Sequence, residues 1–400
     1  MDTFATTRPI FDRMTNVYGY DLMFRTGFEA YFNAAVADAL QADLQDAMSF
    51  SDIVGLARAH VIFPASLLAK EVPVLFPPDT LIVGVPGTCA FDEPTLAACR
   101  RLKEVGYELA LDDFGPEHAK SPFLEFGDIV QVDVTRVAHV EQVKICSDLP
   151  PRGIRTLARN VESTETFQQA LSAGYWYMQG DFFRRPAIQP GKEIAASKLN
   201  HLRLLNEVNK PELAYDELEL LIKQDVSMTY RLLRFINSAW YGLKTAVESI
   251  RHALVLLGPE QVRVWASMLV LKDMGEDKPN ELFRRCLMRA RMAEAFAPRV
   301  GLKSRSSELF LMGMFSLADA LTDIPLARVL FGLPLSKEIK MALLGQGGQF
   351  GLVHEMVLAY EMGWWDSFSD AARRASIEEK VAPHMFNEAR EWADQALRAI

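Results

Sequence analysis

The chain has 400 residues, half of them hydrophobic and 24% charged, with a net charge of −9. That length favours two domains with ample cores, and the acidic balance argues against a general phosphate-binding or nucleic-acid surface while leaving room for a local basic pocket. No apolar run approaches the roughly 20 residues that span a bilayer. Residues 1–5 lack the basic start and apolar core of a signal peptide. Cys89, Cys99, Cys146 and Cys286 form neither a C-x-x-C nor a zinc set. The expectation is a cytoplasmic protein with reduced cysteines in packing roles.

Up to residue 187, short runs rich in β-branched and aromatic residues alternate with helical patterns. Strands are expected at 17–24, 61–64, 81–85, 109–113, 129–134, 154–158 and 175–179. Helices are expected at 93–104, with Pro94 in the first turn, and at 164–173. Strand–helix–strand repetition implies parallel strands with crossover helices. A full eight-fold barrel usually takes about 250 residues, so a shortened TIM-type barrel over 1–187 needs some helices trimmed or absent. Pro190 and Gly191 mark a linker at 188–195.

From 196 to 400 the pattern is helical throughout. Asp216-Glu217-Leu218-Glu219 reads as a capping box with Asp216 as the cap. Ser227 is read as the start of a helix carrying Met228, Leu232, Phe235 and Ile236 on one face. Ser249 is expected to cap 250–257, Gly258 to end that helix and Pro259 to start the next. The fold class is therefore α/β followed by an all-α domain.

The run Leu109-Ala110-Leu111 ends in Asp112-Asp113-Phe114-Gly115. A buried strand that ends in two carboxylates delivers them to a barrel rim. Adjacent carboxylates need a cation between them or a shared proton.

Arg8-Pro9-Ile10-Phe11-Asp12, Val17-Tyr18-Gly19-Tyr20-Asp21-Leu22-Met23-Phe24-Arg25, Asp112-Asp113-Phe114-Gly115, Val130-Gln131-Val132-Asp133, Leu157-Ala158-Arg159-Asn160-Val161-Glu162 and Gln179-Gly180 occur in this order. The series resembles EAL domains, barrel phosphodiesterases that hydrolyse cyclic di-GMP with two divalent metals. The resemblance implies metal-ligand positions at Asp21, Ile62, Gly84, Asp112, Asp113 and Glu162, and Gln179 is a retained family residue. It also implies a lysine position at Gln131, a water-activating glutamate position at Arg159 and a phosphate contact at Arg25. Ile62 and Gly84 offer no ligand, and arginine is no general base. Arg159 is instead expected to pair with Asp112 or Asp113, standing in for metal charge.

Asp225-Val226-Ser227-Met228-Thr229-Tyr230-Arg231-Leu232-Leu233-Arg234-Phe235-Ile236-Asn237 and Ser249-Ile250-Arg251-His252-Ala253-Leu254 resemble HDOD domains, helical relatives of metal-dependent HD phosphohydrolases. The metal-binding His-Asp pair of that class falls on Ser316 and Leu317, which cannot replace it. Trp240-Tyr241 and Trp364-Trp365 are candidate contact surfaces.

These readings imply an EAL–HDOD signal-transduction protein that is not an enzyme and acts as a scaffold or regulatory adaptor for protein partners. The alternatives are a cyclic-di-GMP receptor without hydrolysis and a weak cyclic-di-GMP phosphodiesterase. No cofactor is expected, a residual Mg²⁺ at Asp112 and Asp113 being the exception to test. No nucleic-acid or membrane partner is expected, and homodimer formation is left open.

Overall fold

A computed structural model describes residues 4–38, 50–90, 92–188, 199–210, 212–238 and 245–399. The chain divides into two compact units, Met1–Arg185 with Glu361–Gly363, and Pro186–Tyr360 with Trp364–Ile400. Beyond Ile188, the expected linker lies outside the described residues, as does Trp240-Tyr241.

The first unit is a closed barrel of eight strands in sequence order. These are β1 Ala5–Asp12, β2 Val17–Phe24, β3 Arg58–Ile62, β4 Leu81–Val85, β5 Glu108–Leu111, β6 Ile129–Asp133, β7 Arg155–Arg159 and β8 Tyr177–Gln179. Strand β1 was not among the expected ones, because Pro9 lacks the N–H that an interior strand needs. It pairs antiparallel with both β2 and β8, so the barrel is not wholly parallel. A tight turn suffices between antiparallel neighbours. Here Asp12 Oδ1 accepts from the Met14 and Asn16 amides at 2.8 Å each. Strands β2 to β8 run parallel.

The third strand lies at Arg58–Ile62 rather than 61–64. Its polar Arg58 and His60 find partners inside the barrel, Glu108 and Asp21, which an apolar-run criterion cannot see. The connections show the expected trimming. Glu93–Val105, His139–Asp148 and Thr164–Ala173 are full crossover helices, whereas only short 3₁₀ turns join β5 to β6. Asp92 caps the first by accepting from the Thr95 amide, and Gly106 at φ 101° ends it.

Alternate residues of the strands share the barrel interior. They form three tiers, a layering typical of such barrels. The floor, at the amino ends of the strands, holds Glu108 between Arg58 and Arg155, with Tyr18 and Tyr177 stacked at 4.2 Å. The middle tier is apolar and includes Ile10, Ile82, Ala110, Ile129 and Leu157. The upper tier is polar and is described below.

The second unit is helical. Ser249 caps Ile250–Met274 by accepting from the His252 amide, and Gly258 (φ 73°, ψ 170°) breaks that helix as expected. Two helix starts differ from expectation. Ala214 precedes Tyr215–Lys223, with Asp216 inside the first turn, and Asp225 rather than Ser227 caps Val226–Ile236. Asp225 prevails because its carboxylate accepts from both the Ser227 and Met228 amides. Contrary to the sequence reading, Ile250–Met274 is long and apolar enough to cross a membrane by length and composition. Its break at Gly258 and its buried stretch from Trp265 to Leu271 fit a core helix of this unit.

Candidate functional site

The upper tier begins with Asp21. Its side chain is buried on β2, where Oδ1 accepts from His60 Nδ1 at 2.9 Å and Oδ2 from Gln179 Nε2 at 3.0 Å. His60 Nε2 meets Gln131 Nε2 at 2.8 Å. The ring donates its Nδ1 proton to Asp21. Gln131, Gln179 and His60 are each at most 2% exposed, so the chain Gln179–Asp21–His60–Gln131 crosses a dry interior. Burial by itself would raise Asp21. The His60 hydrogen bond, with charge from His60 and Arg159 and a bond from Gln179, brings its pKa below the ordinary value.

Above this chain, Arg159 closes β7 and Asp112 follows β5. Arg159 Nη1 donates to Asp112 Oδ1 at 2.5 Å and lies 3.4 Å from Asp113 Oδ1. The expected pairing is therefore present with both aspartates. Burial raises the pKa of Asp112 more than Arg159 lowers it. Burial also opposes charge on Arg159, yet Asp112, Asp21 and Asp113 together hold its pKa above the ordinary value. Two left-handed residues flank the pair, Asp113 at φ 49° and Asn160 at φ 60°. Such backbone concentrates at functional rims. A cavity of about 760 Å³ opens beside them, lined by Gly87, Asp113, Phe114, His118, Asp133 and Arg136 among others.

The remaining expected residues lie apart from this pair. Glu162 Oε2 is bound by Arg185 Nη2 at 2.7 Å. Arg25 follows β2, with its guanidinium 5.1 Å above the Phe4 ring. Ile62 closes β3 and Gly84 lies in β4. A Cβ on Gly84 would come 2.8 Å from His60 Nε2, so the imidazole fills the space where the family resemblance implies a carboxylate. Sequence reading missed His60. Its signal was a polar residue two places after Arg58 in a β-branched strand. In the helical unit, Ser316 Oγ accepts from Arg289 Nη1 at 3.2 Å and donates to the Gly313 carbonyl at 2.6 Å, while Leu317 is buried.

A pair of divalent ions, implied by the EAL resemblance, does not fit this donor set. Both oxygens of Asp21 are taken, Arg159 sits against Asp112 and Asp113, Glu162 is paired elsewhere, and Ile62 and Gly84 bring no oxygen ligand side chain. Among the described residues no group of three or more His, Cys, Asp or Glu side chains is arranged to hold a metal.

Comparison with known proteins adds the following. The HDOD domain profile matches residues 199–319. The cyclic di-GMP phosphodiesterase CdgJ of Vibrio cholerae is 29% identical over 406 residues, which is 100% of this chain and 94% of CdgJ. The uncharacterized protein YuxH of Bacillus subtilis is 30% identical over 413 residues, the whole of both chains. Among solved structures, an EAL domain protein of Listeria monocytogenes is 18% identical, with TM-score 0.33, over 45% of this chain and 87% of its own.

The expectation of a protein that is not an enzyme is corrected by these findings, since a relative matched along this whole chain is a named phosphodiesterase. That expectation counted lost ligands position by position, and the end-to-end match to a named phosphodiesterase outweighs such a count. With a relative of 30% identity matched end to end, an HDOD match and a closed eight-strand barrel, the chain belongs to the EAL–HDOD family of two-domain signalling proteins.

Proposed function

We propose that this chain is a cyclic-di-GMP signalling protein whose barrel takes the nucleotide at the carboxyl rim. The observation that carries the reading is the end-to-end relation to the phosphodiesterase CdgJ. The rim supports it. Asp113, paired with Arg159, lines a cavity of about 760 Å³, inside the roughly 300–1,000 Å³ of small-molecule sites. Catalytic groups of such barrels sit at this end of the strands.

The experiment is to mix the purified full-length chain with cyclic di-GMP in Mg²⁺, in Mn²⁺ and in chelator. Calorimetry follows binding and chromatography follows the linear dinucleotide product. Saturable binding or turnover in any condition supports the reading, and neither in all three overturns it.

A regulatory adaptor role for the helical unit is a second reading. It is favoured by apolar rings left in solvent there, Phe331 at 90% exposure and Trp364 at 50%. Hydrogen exchange of residues 199–319 with and without nucleotide tests it. Changed protection supports transmission to this unit, and unchanged protection overturns it.

A further inference from the structure

We propose that Arg159 is the resident cation of the barrel rim, neutralising Asp112 and Asp113 in place of divalent metal, so that this site handles its phosphodiester ligand without one. The nucleotide half of this inference rests on the function proposed above, whereas the metal half does not.

Three observations carry it. First, the guanidinium lies within reach of both aspartates through a single nitrogen, Nη1, at 2.5 and 3.4 Å. A dication approaching either carboxylate must displace a permanent positive charge that never deprotonates in water. Second, Arg159 is not used as an arginine fork usually is. Its Nε is buried with no hydrogen-bond partner, and it grips neither carboxylate with two nitrogens. Optimal ion pairing would use the fork, so the placement follows the carboxylate pair as a point charge does. Third, a separate group locks Asp21, the remaining carboxylate of the tier. His60 and Gln179 occupy both its oxygens, and the His60 ring excludes any side chain at position 84. Guanidinium and imidazole thus neutralise or saturate all three carboxylates from within the chain.

The test begins with Mn²⁺ alone, followed by electron paramagnetic resonance and calorimetry on the full-length chain. The unmodified protein shows no saturable Mn²⁺ binding below millimolar concentration. Arg159→Glu, which removes the cation and adds a carboxylate, gains at least tenfold in Mn²⁺ affinity, and adding Asp112→Asn abolishes the gain. Arg159→Gln, gentler on folding, gains less but measurably. Micromolar Mn²⁺ binding by the unmodified chain that Asp112→Asn removes overturns the proposal, and so does the absence of any gain in both folded variants. In the second arm, cyclic di-GMP binds the unmodified chain with the same affinity, within twofold, in chelator and in Mn²⁺. A tenfold loss in chelator overturns the proposal. No nucleotide binding in either condition sinks the function proposed above and leaves the Mn²⁺ arm to judge Arg159 by itself.

Discussion

The two ends of one barrel handle buried charge in opposite ways. At the floor a single carboxylate, Glu108, is gripped by two arginines, Arg58 and Arg155, and by the Tyr18 hydroxyl at 2.5 Å. Arg155 also donates to the Tyr177 hydroxyl at 2.7 Å, so donors outnumber acceptors. At the rim the ratio inverts. Three carboxylates, Asp21, Asp112 and Asp113, face one arginine and one imidazole. Asp113 stays half-exposed beside an open cavity. A saturated cluster holds strands together, whereas an acid-rich cluster with strained flanks and solvent access is suited to a ligand. The same residue types thus do structural work at one end and site work at the other, according to stoichiometry.

The largest test of this contrast is Glu108→Ala. It leaves two guanidiniums without their counter-charge near the core and costs about 3 kcal/mol. In thermal unfolding of the full chain that is a fall in Tm on the order of 10 °C. If the melting temperature stays within a degree, the floor is no clamp and the contrast breaks.

Next comes His60→Ala. It removes a buried ring and the bond to Asp21, and costs about 2 kcal/mol by cavity formation and lost hydrogen bonding. Urea unfolding measures it. A loss under half a kilocalorie would mean that the upper tier is as loosely held as a surface.

Arg159→Gln is expected to cost least of the three substitutions, about 1 kcal/mol, because Asp112, whose pKa burial already raises, can take up a proton and Asp113 is half in water. A loss equal to that of Glu108→Ala would make the rim a second structural clamp.

The pH dependence sharpens the comparison further. Asp21 lies below its ordinary pKa in the folded chain, so the unfolded chain binds its proton more readily. Its stabilising contribution is whole above the unfolded value of about 4 and is lost as pH falls through the lower folded value. Asp112 runs the other way. With its folded pKa raised, its contribution is present below about 4 and is lost as pH rises through the folded value. Urea midpoints measured against pH should show Asp21→Asn flattening the acid limb. An acid limb identical to that of the unmodified chain would show that Asp21 draws nothing from His60.

The aspartate pair after β5, the Arg159 position and the helical second half were legible because each is a local pattern. An apolar run ends in acids, an arginine stands among family residues, and helical spacing persists. Strand β1 was not legible. Its pairing is with residues distant in the chain, and Pro9 argues against a strand when read locally. His60 was missed for a related reason. Its burial is tolerable only because Asp21, Gln131 and Gly84, from three other strands, converge on it.

The residue order alone settled that this chain carries a barrel-like α/β half, a helical half and an acidic pair with an arginine to meet it. Only the closed barrel decided which charges share a tier. Closure brings strands β2, β3, β5, β6, β7 and β8 to one interior, where the balance of donors to carboxylates is set by side chains as much as 158 residues apart. Desolvation makes that balance matter, since a buried charge is stable only with the partner that the fold supplies.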